Sequence, residues 1–143
     1  MARRRAIPFR GPALFARWQS LGFLRDGRHL VMITQDRAAE VWDVDAGRRA
    51  FTLGEAGEFA KSHVALSPDG RWLAGDHTTS AVAVWDVERR RRLFVLPEER
   101  GPISHTTWSP DGTRLAIGMK DGRVILWDLP QVRAQLAGLG LDW

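Results

Sequence analysis

Apolar residues fall along the chain in short runs: Leu30-Val31-Met32-Ile33, Trp72-Leu73-Ala74, Val82-Ala83-Val84-Trp85, Leu115-Ala116-Ile117 and Val124-Ile125-Leu126-Trp127. Runs this short, bounded by Asp, Gly and Pro, predict β-strands rather than helices. The runs are also periodic. Asp26-Gly27, Asp69-Gly70 and Asp111-Gly112 each stand sixteen residues before a Trp-Asp pair, at Trp42-Asp43, Trp85-Asp86 and Trp127-Asp128. Two of the Asp-Gly pairs lie inside Ser-Pro-Asp-Gly, at 67–70 and 109–112, whereas the first follows Leu24-Arg25. Glycine reaches positive φ at little cost, so each Asp-Gly predicts a tight turn.

Each unit then reads as four strands, in the chain order d, a, b, c. Strand a ends at Phe23, Leu66 or Trp108; strand b follows the Asp-Gly turn; a second turn falls at Asp36-Arg37 and Asp121-Gly122; strand c ends in Trp-Asp. Strand d reads at 48–53 and 91–96, with an equivalent at residues 4–9. The units are 1–43, 44–86 and 87–129, and 130–143 form a tail in which Gln131 to Ala137 predicts a short helix.

Three Trp-Asp endings in register, each behind an Asp-Gly turn, resemble the WD-repeat family of β-propellers over nearly the whole chain. The implied fold is all-β: a partial β-propeller of three four-stranded antiparallel blades with a short C-terminal helical tail. The tail resembles the ends of long bacterial WD-repeat proteins. The resemblance also implies a hydrogen-bond network of His, Ser or Thr, Asp and Trp in each blade. The first repeat offers Thr34, Asp36 and Trp42, with Leu14 at the His position. The third keeps Asp121 and Trp127, with Met119 and Glu99 at the other two. The second keeps Trp85 alone, beside Gly57, His77 and Thr79. Propellers close with about four to eight blades, so three leave two outer faces uncovered. Either the chain is part of a longer propeller or two copies pair head-to-tail.

Composition narrows the function. The 143 residues are 44% hydrophobic and 27% charged, the balance of a globular domain. The absence of cysteine excludes disulfides and thiolate chemistry. A cytoplasmic protein without cofactor or metal is expected. His63 and His105 share a repeat position and predict core or inter-blade packing; Ser67 and Ser109 belong to turns. Trp18, Trp72 and Trp108 predict core positions. Gly54-Glu55-Ala56-Gly57 lacks the lysine and context of a phosphate loop. No catalytic set emerges, and a protein-binding scaffold is the leading reading.

The family topology puts d–a and b–c loops on one face, the top, and a–b and c–d loops on the bottom. Lys61 and Lys120 are the only lysines among 21 basic side chains, and the arginines concentrate toward the bottom, most densely at Arg89-Arg90-Arg91-Arg92. Candidate partner-binding residues are therefore that run below and Arg17, Gln35, Lys61 and Lys120 above. The alternative function is a basic nucleic-acid or polyanion binding module acting through the Arg-rich face.

Overall fold

The Asp-Gly turns form where the spacing puts them: Gly27, Gly70 and Gly112 adopt φ of 64°, 69° and 71°, the left-handed region that glycine enters without steric penalty. They fold the chain into three antiparallel sheets. The computed structural model describes residues 21–34, 36–60 and 64–141. The expected strand at 4–9, the position of Leu14, and Trp18, His63 and Trp143 lie outside those residues.

The first sheet has the order β1 (Leu21–Phe23), β2 (His29–Ile33), β3 (Ala39–Asp43), β4 (Arg48–Leu53). The second repeats it with β5 (Val64–Leu66), β6 (Trp72–Asp76), β7 (Val82–Asp86) and β8 (Arg91–Val95). The third holds β9 (Ile103–Trp108), β10 (Arg114–Met119) and β11 (Val124–Asp128), three strands among the described residues, with β11 at its edge. The sheets and the sequence units are out of phase by one strand. Strand d opens a unit in sequence but pairs with strand c of the unit before it: β4 lies on β3 and β8 on β7. Every unit boundary therefore falls inside a sheet, and neighbouring units are laced together by backbone hydrogen bonds. Both c–d ladders shift register just before the tryptophan, at Val41/Trp42 and at Val84/Trp85, a repeated bulge that increases local twist.

The apolar runs are buried between sheets. One cluster joins Val31, Ile33 and Val41 of the first sheet to Leu73, Ala83 and Trp85 of the second. The other joins Ala74, Val82 and Val84 of the second to Trp108, Leu115 and Ile117 of the third. Full burial of such a side chain contributes about 1.5–3 kcal/mol, so face-to-face packing holds the blades together. Trp108 also donates its indole N–H to the Ala65 carbonyl at 2.8 Å, bridging blades two and three.

Phe59 lies in the loop between β4 and β5 yet is 1% exposed. Its ring packs near Trp85, with centroids 5.8 Å apart, and fills the space above Gly75, where a Cβ would lie 2.6 Å from it. The tail folds as α1 (Leu129–Gly138), two residues earlier than expected at its start. The cause is Asp128, which ends strand c and caps the helix by accepting from the Gln131 N–H at 3.1 Å.

Candidate interaction surfaces

The recurring acids are turn-builders. Ser67 and Ser109 donate their hydroxyls to Asp69 and Asp111, each at 2.6 Å, and accept the backbone N–H of Trp72 and Arg114, each at 2.9 Å. Leu24 replaces this serine in the first repeat, and Asp26 takes over: it accepts from the Arg28 and His29 N–H groups, both at 2.9 Å. The His29 side chain, 2.6 Å from the same carboxylate, is the largest cause holding Asp26 down at about 2. The Ser109 hydroxyl, followed by the Thr113 N–H, holds Asp111 at about 2. At the c–d turns, Asp43 accepts from the Asp45 and Ala46 N–H groups and from the Arg28 guanidinium at 2.7 Å. That guanidinium is the main reason its carboxyl lies well below the usual range. Asp86 accepts from the Arg89 N–H at 2.9 Å.

The tryptophan network departs from the family pattern. Thr34 donates to Asp36, but the Trp42 indole N–H goes to Glu40 at 2.7 Å, and Arg49 braces the same carboxylate at 2.9 Å. The corresponding residues in the other blades are Ala83 and Ile125, and the buried indole nitrogens of Trp85 and Trp127 have no hydrogen-bond partner among the described residues. Asp121 serves its own turn, accepting from the Arg123 side chain at 2.8 Å; the Arg123 backbone N–H is the main influence lowering its pKa.

The top loops are stitched to one another. Gly57 and Phe59 donate their N–H groups to the Asp36 and Arg37 carbonyls at 2.7 and 3.2 Å, and Lys120 donates to Pro102 at 2.9 Å. Of the four top-face candidates, Lys120 is exposed here; Arg17, Gln35 and Lys61 lie outside the described residues. His105 corrects an expectation. It is exposed, not packed between blades: side chains alternate along β9 from buried Trp108 to buried Thr106, which leaves His105 on the other face. His29 is half-buried on the turn and His77 half-buried at the top. Trp108 is buried as expected, while Trp72 is half-buried with Arg71 stacked 4.4 Å above its ring. Among the described residues, no three His, Asp or Glu side chains gather as metal ligands.

The four arginines of the run on the bottom take separate directions. Arg92 turns away to pair with Glu58 at 2.7 Å, because Glu40 has no counterpart in this blade. Arg89 stays within 3.9 Å of Asp86. Arg91 is exposed. Arg90 adopts φ 56°, where Gly47 occupies the same turn position in the first blade at φ 65°. Its guanidinium lies 4.2 Å over the ring of Phe51, across the boundary between blades. A non-glycine residue there costs about 1–2 kcal/mol, against about 0.5–1 kcal/mol for an exposed cation–π contact. Sequence reading missed Arg90's individual role, although aligning Asp43-to-Gly47 with Asp86-to-Arg90 exposes an arginine in a glycine position.

The third blade presents an uncovered face. Ala39 and Val41, then Val82 and Val84, occupy successive inward positions of strand c and are at most 1% exposed; their counterparts Val124 and Leu126 are both 66% exposed. At the opposite end Phe23 is 59% exposed. Its counterparts reach back to the preceding blade, Trp108 to Ala65, and Leu66 to within 3.0 Å of where a Cβ on Gly22 would lie.

Residues 90–128 match the family model described as WD domain, G-beta repeat. That segment runs from strand d of the second sheet to strand c of the third. Among solved structures, the chain is similar to the β-propeller domain of Cps50 (Swd1) from Myceliophteria thermophila, with a TM-score of 0.65, 20% identity and coverage of 81% of this chain. It is also similar to a chain of the mitotic checkpoint complex, with a TM-score of 0.65, 20% identity and 80% coverage. It spans 38% and 35% of those chains, respectively. No curated protein matches the sequence. The fold is that of part of a β-propeller.

Proposed function

We propose that this chain is a WD-repeat protein-interaction scaffold, binding other proteins through its sheet faces and loops rather than catalysing a reaction. The observation that carries the reading is the face of strand β11. Two blades cover the equivalent apolar positions with a neighbour; the third leaves Val124 and Leu126 open to solvent. An apolar blade face with the residue pattern of a buried interface is a site for another blade surface, which for this chain alone a second copy supplies. The mitotic checkpoint neighbour belongs, by its description, to a multi-protein complex, which agrees with this class of role.

The nucleic-acid alternative is weaker. Base stacking needs free aromatic faces within a basic surface. On the bottom face, however, guanidiniums already lie over Phe51 and Trp72.

Size-exclusion chromatography with light scattering tests the proposal. The wild-type chain is expected to associate beyond a monomer, and Leu126→Glu to restore a monomer with an unchanged circular dichroism spectrum. A wild-type chain that stays monomeric as concentration is raised would contradict it.

A further inference from the structure

A groove of about 500 Å³ opens on the bottom face where the a–b turns of the first two sheets meet the second c–d turn. Its floor is apolar, from Leu24, Phe51 and Val87, and Arg25, Arg71 and Arg90 stand around it. Among the described residues none of the three guanidiniums is in salt-bridge contact with a carboxylate, although Arg71 is near enough to Asp69 to attract it. Two are held over rings, Arg71 over Trp72 and Arg90 over Phe51, so their planar donors are pre-positioned rather than free-swinging. Arg90 reaches its place from a left-handed backbone that the same turn of the first blade gives to glycine, and such outliers gather at ligand clamps.

The groove is not uniformly basic. Asp26 and Asp69 line it; both oxygens of Asp26 and the Oδ1 of Asp69 are engaged by their own turns. Glu88 stands at the rim with no partner among the described residues. A nucleic-acid backbone places phosphates too densely to avoid these three carboxylates, since duplex DNA carries one charge per about 1.7 Å. Carboxylates spaced along a peptide can meet the arginines and leave Glu88 in solvent. Between them, an apolar side chain can enter the floor.

We infer that this groove binds an acidic peptide segment of a partner protein, with its carboxylates on Arg25, Arg71 and Arg90 and an apolar side chain over Leu24, Phe51 and Val87. The inference rests on the scaffold reading and locates one of its binding sites.

The test is fluorescence anisotropy with a labelled peptide of alternating glutamate and leucine, and with its glutamine counterpart as control. Wild-type protein is expected to bind the acidic peptide, more weakly as salt rises, and to ignore the control. Arg90→Gly keeps a residue suited to the left-handed turn, so the variant folds, and its affinity should fall by about fivefold or more. Arg114→Ala, an exposed arginine outside the groove, should bind as wild type does. Equal losses in both variants would reduce the effect to diffuse charge and overturn the groove. So would failure of the wild type to bind, or Arg90-dependent binding of a DNA oligonucleotide in place of the peptide. Association measured by light scattering does not involve the groove. If the chain associates but the peptide fails, the groove is wrong and the scaffold reading stands; if both fail, the scaffold reading falls as well.

Discussion

Single side chains here carry duties that repeat spacing alone does not announce. Phe59 sits in a Gly- and Glu-rich loop, with no periodic pattern to mark it as core. Its burial follows from Gly75 two strands away, whose missing side chain leaves room for the ring. Gly75→Ala should therefore push Phe59 from its slot and cost about 1–3 kcal/mol in denaturant unfolding. Glu40 was more legible: it lies two residues before Trp42 on the same face of β3, within reach of the indole. Thr34 drew attention instead because the family pattern points there. Arg37 adopts φ 62° where the third blade has Gly122. Arg37→Gly should leave unfolding free energy unchanged or raise it by up to about 1 kcal/mol, since relief of left-handed strain offsets the flexibility glycine adds to the unfolded chain. The turn carboxylates set the response to acid. Asp26 and Asp111 are held at about 2, below the ordinary 3.8. Groups depressed in the folded state stabilise it above the unfolded pKa and lose that contribution as pH falls through the folded one. The melting temperature should thus drop between about pH 4 and pH 2, and Asp111→Asn should flatten part of that drop in thermal melts followed by circular dichroism.

At the level of elements, the strands were legible because two signals agreed: short β-branched apolar runs and Asp-Gly turns at a fixed offset. The helix was legible in kind but not in its first turn. Asp128 reads as the end of strand c, and only the fold reveals that it also caps α1. The same residue position caps a turn at Asp43 and Asp86 and a helix at Asp128, so one repeated carboxylate does related work in two secondary structures. Asp128→Ala should cost about 1 kcal/mol and speed amide exchange in the first turn of α1, while exchange in β6 and β7 stays as it was. His105 faces outward by plain alternation from Trp108 and Thr106; what had no sequence signal is the register shift before it, which sets Ile103 rather than Ser104 opposite Met119.

For the whole molecule, the interleaving of units and sheets gives each internal interface both a backbone lace and an apolar face. The end of the array lacks this: β11 has no d strand beside it among the described residues, and Val124 and Leu126 face solvent. Phe23 projects from the other end as Leu66 and Trp108 project within the array. These two ends are complementary rather than identical, so contact between copies should be head-to-tail. By repeat equivalence, the position that Ala65 offers to Trp108 is Thr107 in the last blade, and Thr107 of one copy should receive Phe23 of another. The chain has no cysteine, so introduced thiols report contacts without background. The most direct measurement mixes two single variants, Phe23→Cys and Thr107→Cys, with a short bis-maleimide and separates the products by mass. A covalent heterodimer that disappears when Leu126→Glu is added to the Thr107→Cys chain is the expected result. No cross-link, or only Phe23→Cys chains joined to each other, would contradict head-to-tail docking of blade faces.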